Sequence, residues 1–169
     1  MPEPVTDSDE VLRRASVAEI DPRTLYLLAK LRQDVFALEQ GATDPDLDGR
    51  DLDPTTTLVW FEVPGAEATA AGLQREPAAH TRVLHEADGT VRIGRVAVRA
   101  ADRRRGLGGR VMRASIDLAR ELDEQAEIHV DAQAYLEQWY QGFGFETVGA
   151  PFDEAGIEHV PMLLRPGRG

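Results

Sequence analysis

Cysteine is absent from the sequence. Disulfides, thiolate nucleophiles, zinc ribbons and iron–sulfur clusters are thereby excluded together, which suits a reducing compartment. Long apolar runs are absent too: no stretch approaches the ~20 residues needed to cross a bilayer. Met1 to Arg14 is acidic and lacks the basic region and apolar run of a signal peptide. The expectation is a cytoplasmic protein with no membrane partner. No internal repeat or low-complexity tract is present. A complete calcium loop is missing as well. Asp44-x-Asp46-x-Asp48-Gly49 copies the start of one, but the twelfth position holds Thr55 where a bidentate glutamate is required, so no metal is expected.

The chain has 169 residues, of which 42% are hydrophobic and 29% charged, enough for one sizeable core and ordinary for a folded protein. A flexible leader over residues 1–10 and a single domain over 11–169 are expected. The net charge of −11 would repel polyphosphate, so neither nucleic acid nor an anionic membrane is an expected partner. Its distribution is uneven. Nine arginines stand between Arg92 and Arg120 against Asp102 and Asp117, a local +7 in a chain whose remainder carries −18. A basic segment in an acidic protein reads as a pocket for a compact polyanionic ligand.

Apolar positions Leu25, Leu28, Leu31, Val35 and Leu38 predict an amphipathic helix over 24–40, begun after Asp21-Pro22 and stopped at Gly41. Strands are predicted over 11–18, 57–63, 68–75, 81–85 and 91–98, with Pro64-Gly65 ending the second and Asp88-Gly89 turning the last hairpin. Leu107, Val111, Ala114 and Leu118 mark a helix to about Leu122. A strand over 127–130, a helix over 132–141 and strands over 145–148 and 160–164 complete the pattern. The order describes an α/β or α+β domain, one sheet with helices on its faces.

Arg92 to Arg110 is the most informative stretch. A strand ends, a basic turn follows, and Gly106, Gly108 and Gly109 open a helix. Such a junction directs unpaired N–H groups and the positive helix end at one point, where a phosphate can sit; Arg103, Arg104 and Arg105 add charge. Two other phosphate loops fail. The Walker pattern needs a lysine and Ser/Thr after its last glycine, where Arg110-Val111 stands, and the dinucleotide fingerprint breaks at Val111. An arginine–glycine nucleic-acid segment, or glycines placed for helix packing, fits this stretch as well.

Arg103-x-x-Gly106-x-Gly108 resembles the pyrophosphate loop of the GNAT acetyltransferases, between their fourth strand and third helix. Asp131 to Phe145 resembles the family's later signature, a polar amide at a helix start, a tyrosine seven residues on, then Gly-Phe: here Gln133, Tyr140, Gly144 and Phe145. The family often has asparagine and alanine where this chain has Gln133 and Leu136. Further matches are Leu31 to Gln40, Asp46-x-Asp48-Gly49-x-Asp51, Ala132-Gln133 and Gly156 to His159. Together they are similar to the ElaA-like subgroup over about Leu25 to Met162. That subgroup usually shows a histidine where Thr57-Leu58 stands, so no role for it carries over.

The resemblance implies the acyl-CoA N-acyltransferase (GNAT) fold: a single mixed, mostly antiparallel sheet with helices on both faces. It implies acetyl-CoA as co-substrate and a small-molecule or peptide amine as acceptor, in a monomer or homodimer. Backbone atoms of Val96 and Val98 would meet the pantetheine and thioester, the Val98 region serving as oxyanion donor. Arg103 to Gly109 would hold the pyrophosphate, with Gln133 beside the cofactor. Tyr140 is the candidate general acid. Glu39, at the end of the first helix, His159, an imidazole that titrates near neutrality as a residue type, and ordered water remain alternatives for the base. A non-catalytic acyl-CoA-binding sensor or interaction module on the same fold is the other reading.

Overall fold

The structure, a computed structural model, describes residues 9–69 and 72–167. The predicted leader falls largely on residues 1–8, outside the described ones. Strands β1 (Val11–Ala15), β2 (Thr57–Thr69), β3 (Gly72–His85), β4 (Val91–Val98), β5 (Ile128–Gln133), β6 (Glu146–Thr147), β7 (Phe152–Glu154) and β8 (Ile157–Leu164) form one sheet. Its order is β1-β2-β3-β4-β5-β8-β6, with β7 also on β8. Every pairing is antiparallel except β4 with β5. Helices α1 (Pro22–Arg32), α2 (Leu107–Leu122) and α3 (Glu137–Gln141) cover the sheet.

Period-two alternation assigns the faces. Leu58 and Trp60 of β2 pack with Leu28 of α1 on one side. Val59, Phe61 and Val63 turn to the other, where β3 adds Ala79 and Val83 and α2 contributes Leu107, Val111, Met112, Ile116 and Ala119. Burying these side chains, at about 1.5–3 kcal/mol for each large one, is what makes helices on both faces stable.

α1 starts as its sequence suggests. Asp21 accepts the Thr24 N–H at 3.0 Å, and Pro22 occupies the first helical position, where no N–H is needed. Its second half differs from the predicted α-helix: Gln33–Glu39 is π-helical, closing with Gln40 N–H on the Val35 carbonyl five residues back. The wider turn keeps Val35 in the core while Glu39 and Gln40 reach a cleft on the sheet.

Other elements depart from expectation for visible reasons. β2 does not stop at Pro64-Gly65; register shifts at Phe61/Glu62 and Pro64/Ala68 absorb the proline that cannot donate to the ladder. A Cβ on Gly65 would stand 2.6 Å from the Gln74 carbonyl oxygen, so only glycine lets the strands approach there. The predicted strands over 68–75 and 81–85 are parts of the β2 end and one continuous β3, which runs through Pro77. β1 ends at Ala15 because Glu19 folds back on Ser16, accepting from its N–H at 3.0 Å and its hydroxyl at 2.9 Å. The predicted helix over 132–141 is mostly something else: Ala132 and Gln133 pair with Val160 and His159 of β8, Ala134–Leu136 is a 3-10 turn, and only Glu137–Gln141 is α-helical. β7, not predicted, forms a hairpin with β8 around Ala155 and Gly156, both at positive φ.

Candidate active site

β4 and β5 pair at only two positions, Val91 with Ile128 and Arg92 with His129. Beyond them the strands part, because β5 continues to Gln133 against β8 while β4 continues against β3. The parting opens a cleft of about 980 Å³. Backbone direction within it follows from strand geometry. The Arg99 N–H donates to the Ala78 carbonyl on β3 at 2.8 Å, so the preceding Val98 N–H points the opposite way, into the gap left by β5.

At one end of the cleft α2 begins. Gly106, at φ 73°, is its N-cap, and no side chain caps the helix. The first intrahelical bond runs from Arg110 N–H to the Gly106 carbonyl, which leaves the N–H groups of Leu107, Gly108 and Gly109 without helical acceptors. A Cβ on Gly108 would lie 3.3 Å from Val98 Cγ2, so glycine brings this positive helix end tight against β4. Arg103 donates to Glu39 Oε2 at 2.7 Å and to the Val98 carbonyl at 3.2 Å. Arg104, itself left-handed at φ 67°, lines the cleft and has no ion-pair partner among the described residues. Arg105 does not line it: its guanidinium is taken by Asp102 at 2.7 Å and Glu10 at 2.6 Å. Glu10 also accepts from Arg110.

The opposite wall is the acidic loop. Arg32, only 3% exposed in its side chain, donates to Asp46 at 2.7 Å and Asp51 at 2.6 Å. Arg82, 5% exposed, makes a two-pronged contact with Asp48 at 2.7 and 3.0 Å. Arg95 Nε stands 2.8 Å from Asp46 Oδ1 without the alignment of a hydrogen bond, and its Nη2 donates to Asp48 at 3.3 Å. Three guanidinium groups thus face three carboxylates. Burial pushes the Asp48 carboxyl up, but its bonds from Arg82 and from the Arg50 amide, with the charges of Arg82 and Arg95, outweigh it and hold the group well below the usual carboxylate range. Asp51 is lowered likewise: burial opposes, Arg32 and Arg82 prevail. The charges of Asp46, Asp48 and Asp51 are thus answered by arginines of the chain itself.

Across the cleft lie the candidate proton carriers. Tyr140 is buried between Trp139 and Phe145, edge to face at centroid distances of 4.8 and 5.9 Å, and burial raises its phenol above the usual range. His159, on β8, has Nδ1 2.7 Å from the Ile157 carbonyl; a carbonyl only accepts, so Nδ1 carries a proton. Nε2 is 3.8 Å from Glu154, and Phe152 stacks on the ring. Gln133 donates to Gln40 at 2.7 Å and accepts from the Tyr135 hydroxyl at 2.6 Å, joining the end of β5 to the end of the π-helical segment.

Residues 63–166 match the family model described as an acetyltransferase (GNAT) domain. The chain belongs to the GNAT acetyltransferase family. Within it the relatives are ElaA-like. The chain is 42% identical over 161 residues to a UPF0039 protein of Mycobacterium tuberculosis, covering 95% of this chain and 96% of that one. The crystal structure of Escherichia coli ElaA superposes with a TM-score of 0.76 at 28% identity, over 91% of this chain and 98% of that one. An acyl-CoA N-acyltransferase of Pseudomonas aeruginosa gives 0.77 at 29% identity, with the same coverage.

In this GNAT protein the cleft gathers Glu39, Val96, Val98, Arg103, Arg104, Gly106, Gly108, Gly109, Gln133, Tyr140 and His159, and leaves Arg105 outside. Gln133 ends β5 and is at the same time the N-cap residue of the 3-10 turn Ala134–Leu136, so it stands both at a strand end and at a helix start. Arg82 and His80 stand in none of the sequence motifs, and Arg32 and Gln40 enter only within the Leu31 to Gln40 match, with no role assigned. A signal existed for Arg82: it alternates with Thr81 and Val83 in a β-branched run, at a position that must face a packed helix side, where a charge requires buried partners. The Asp46-x-Asp48-Gly49-x-Asp51 loop was the place to seek them.

Proposed function

We propose that this GNAT protein is an N-acetyltransferase that moves an acetyl group from acetyl-CoA to a primary amine on a small molecule or peptide, by direct attack of the amine. The observation that carries the reading is the parting of β4 from β5 beside the uncapped start of α2. A long cofactor with a phosphate end and an extended arm fits that geometry. The N–H groups of Leu107, Gly108 and Gly109, without helical acceptors, and Arg104, without an ion-pair partner among the described residues, suit the pyrophosphate, and glycine at 108 puts no side chain against Val98.

Acetyl-CoA, when bound, supplies an activated acyl group whose leaving group is a thiolate. The protein supplies the rest. Val98 N–H, aimed into the gap, donates to oxygen as negative charge gathers there. Tyr140 holds its proton firmly in the buried site and gives it up to a sulfur that becomes an anion. His159 serves as the base for the amine through Nε2, because it lines the cleft while its Nδ1–H is anchored on the Ile157 carbonyl. Glu39 is instead bound to Arg103, a contact that braces the end of the first helix against the phosphate loop.

The test is release of the CoA thiol from acetyl-CoA over a panel of amines. Tyr140→Phe should reduce kcat by on the order of 10²–10⁴ and leave acetyl-CoA affinity unchanged. Tight acetyl-CoA binding without turnover of any amine would instead make the protein an acyl-CoA sensor.

A further inference from the structure

β4 does not run evenly along β3. Between the pairs Arg82–Gly94 and His80–Ala97, β3 advances by two residues and β4 by three, so β4 carries a bulge. Arg95 sits in it at φ 53°, a conformation unfavourable for a residue with a Cβ. Such a residue persists only where its surroundings hold it. Two groups hold Arg95. Asp46 and Asp48 engage its guanidinium. Its carbonyl oxygen lies 2.8 Å from Nδ1 of His80.

His80 is wholly buried, and its Nε2 meets no partner among the described residues. A carbonyl can only accept, so Nδ1 carries the proton and the contact with Arg95 is the ring's one hydrogen bond among the described residues. Burial, aided by the charges of Arg32 and Arg82, pushes the imidazole down to about 3, so it stays neutral. The bulge immediately precedes Val96, and two residues further is Val98, whose N–H faces the gap between β4 and β5. A shift in the bulge is therefore a shift in that N–H.

We infer that His80 is a positioning residue: its Nδ1–H holds the Arg95 carbonyl, fixes the β4 bulge, and so aims the Val96–Val98 backbone at the acyl thioester. What the backbone is aimed at rests on the acetyltransferase reading; the hold on β4 does not. The contrasting role is that of a ring that fills space between the sheet and α1. The two differ in which nitrogen matters. In asparagine the amide nitrogen stands as many bonds from Cβ as His Nδ1 does, whereas the glutamine amide reaches as far as Nε2. Filling space favours glutamine, which leaves the smaller void; positioning favours asparagine.

The experiment compares His80→Asn and His80→Gln in acetyl transfer to an amine the wild type uses. His80→Asn should keep kcat/KM for acetyl-CoA within about threefold of wild type, and His80→Gln should lose on the order of 10- to 100-fold, with KM for the amine unchanged. The reverse order, or a glutamine variant at the wild-type rate, overturns the inference. If the wild type turns over no amine, the acetyltransferase reading fails, and the comparison passes to acetyl-CoA affinity: weaker binding by the glutamine variant alone supports the inference, and equal binding overturns it. Ring nitrogen NMR of the wild type needs no variant to fold. It should show protonated Nδ1 and unprotonated Nε2 at His80, and the opposite tautomer sinks the idea.

Discussion

At the end of the cleft where α2 begins, Arg104 is exposed and has no ion-pair partner among the described residues, and Arg103 shares one half-exposed carboxylate. At the opposite wall Arg32 and Arg82 are almost fully enclosed, and with Arg95 they meet Asp46, Asp48 and Asp51, charge for charge. The same residue type does opposite work in the two places. An exposed guanidinium keeps its field available to a ligand. A buried one is tolerable only when paired and hydrogen-bonded, and then its field is spent on the chain itself. Counting arginines therefore says little about where an anion binds; the carboxylates that reach each arginine decide it.

That contrast can be broken most severely at the buried wall. Arg32→Met leaves Asp46 and Asp51 without their main partner, and removing one member of a buried pair costs about 3–5 kcal/mol. For a domain of this size the thermal midpoint should fall by roughly 10 °C. A fall below about 3 °C would mean the wall is no more structural than the α2 end of the cleft.

The acid limb sharpens the same comparison. Asp48 and Asp51 have folded-state pKa values below their unfolded ones, so their stabilisation is full above the ordinary carboxylate range and is lost as pH falls through it toward the folded values. The urea midpoint should therefore drop steeply below about pH 4.5. Asp48→Asn should start from a lower midpoint and decline less. An identical acid slope in that variant would remove Asp48 from the account.

The smallest effect on stability belongs to the end of the cleft where α2 begins. Arg104→Ala should change unfolding free energy by no more than about 0.5 kcal/mol, as exposed substitutions do, yet weaken acetyl-CoA binding about tenfold through loss of a charge-assisted contact. Arg105→Ala should show the reverse balance, because Asp102 and Glu10 lose a partner while the cleft loses nothing. Calorimetric titration of both variants, beside their unfolding curves, checks the pair; equal losses of affinity would merge the two arginines into one site.

Local chemistry determined much of this protein by sequence alone. Asp21-Pro22 before a three-four apolar repeat favours a helix start, and the glycines after β4 leave the next helix without a side-chain cap, so the starts of α1 and α2 were both legible. The motif containing Tyr140, Gly144 and Phe145 named the family before any geometry was known. Tertiary structure decided the rest, because the deciding partners are distant in sequence. Whether Gln133 belongs to a strand or a helix depends on β8, which arrives some two dozen residues later. The π-helical turn that presents Gln40 depends on a cleft built from β4 and β5. Which arginines are free for a ligand depends on the folding of Asp46, Asp48 and Asp51 over the sheet, and the hold of His80 on Arg95 exists only once β3 and β4 are paired out of step. A side chain's composition is written in the chain; its partner is supplied by packing.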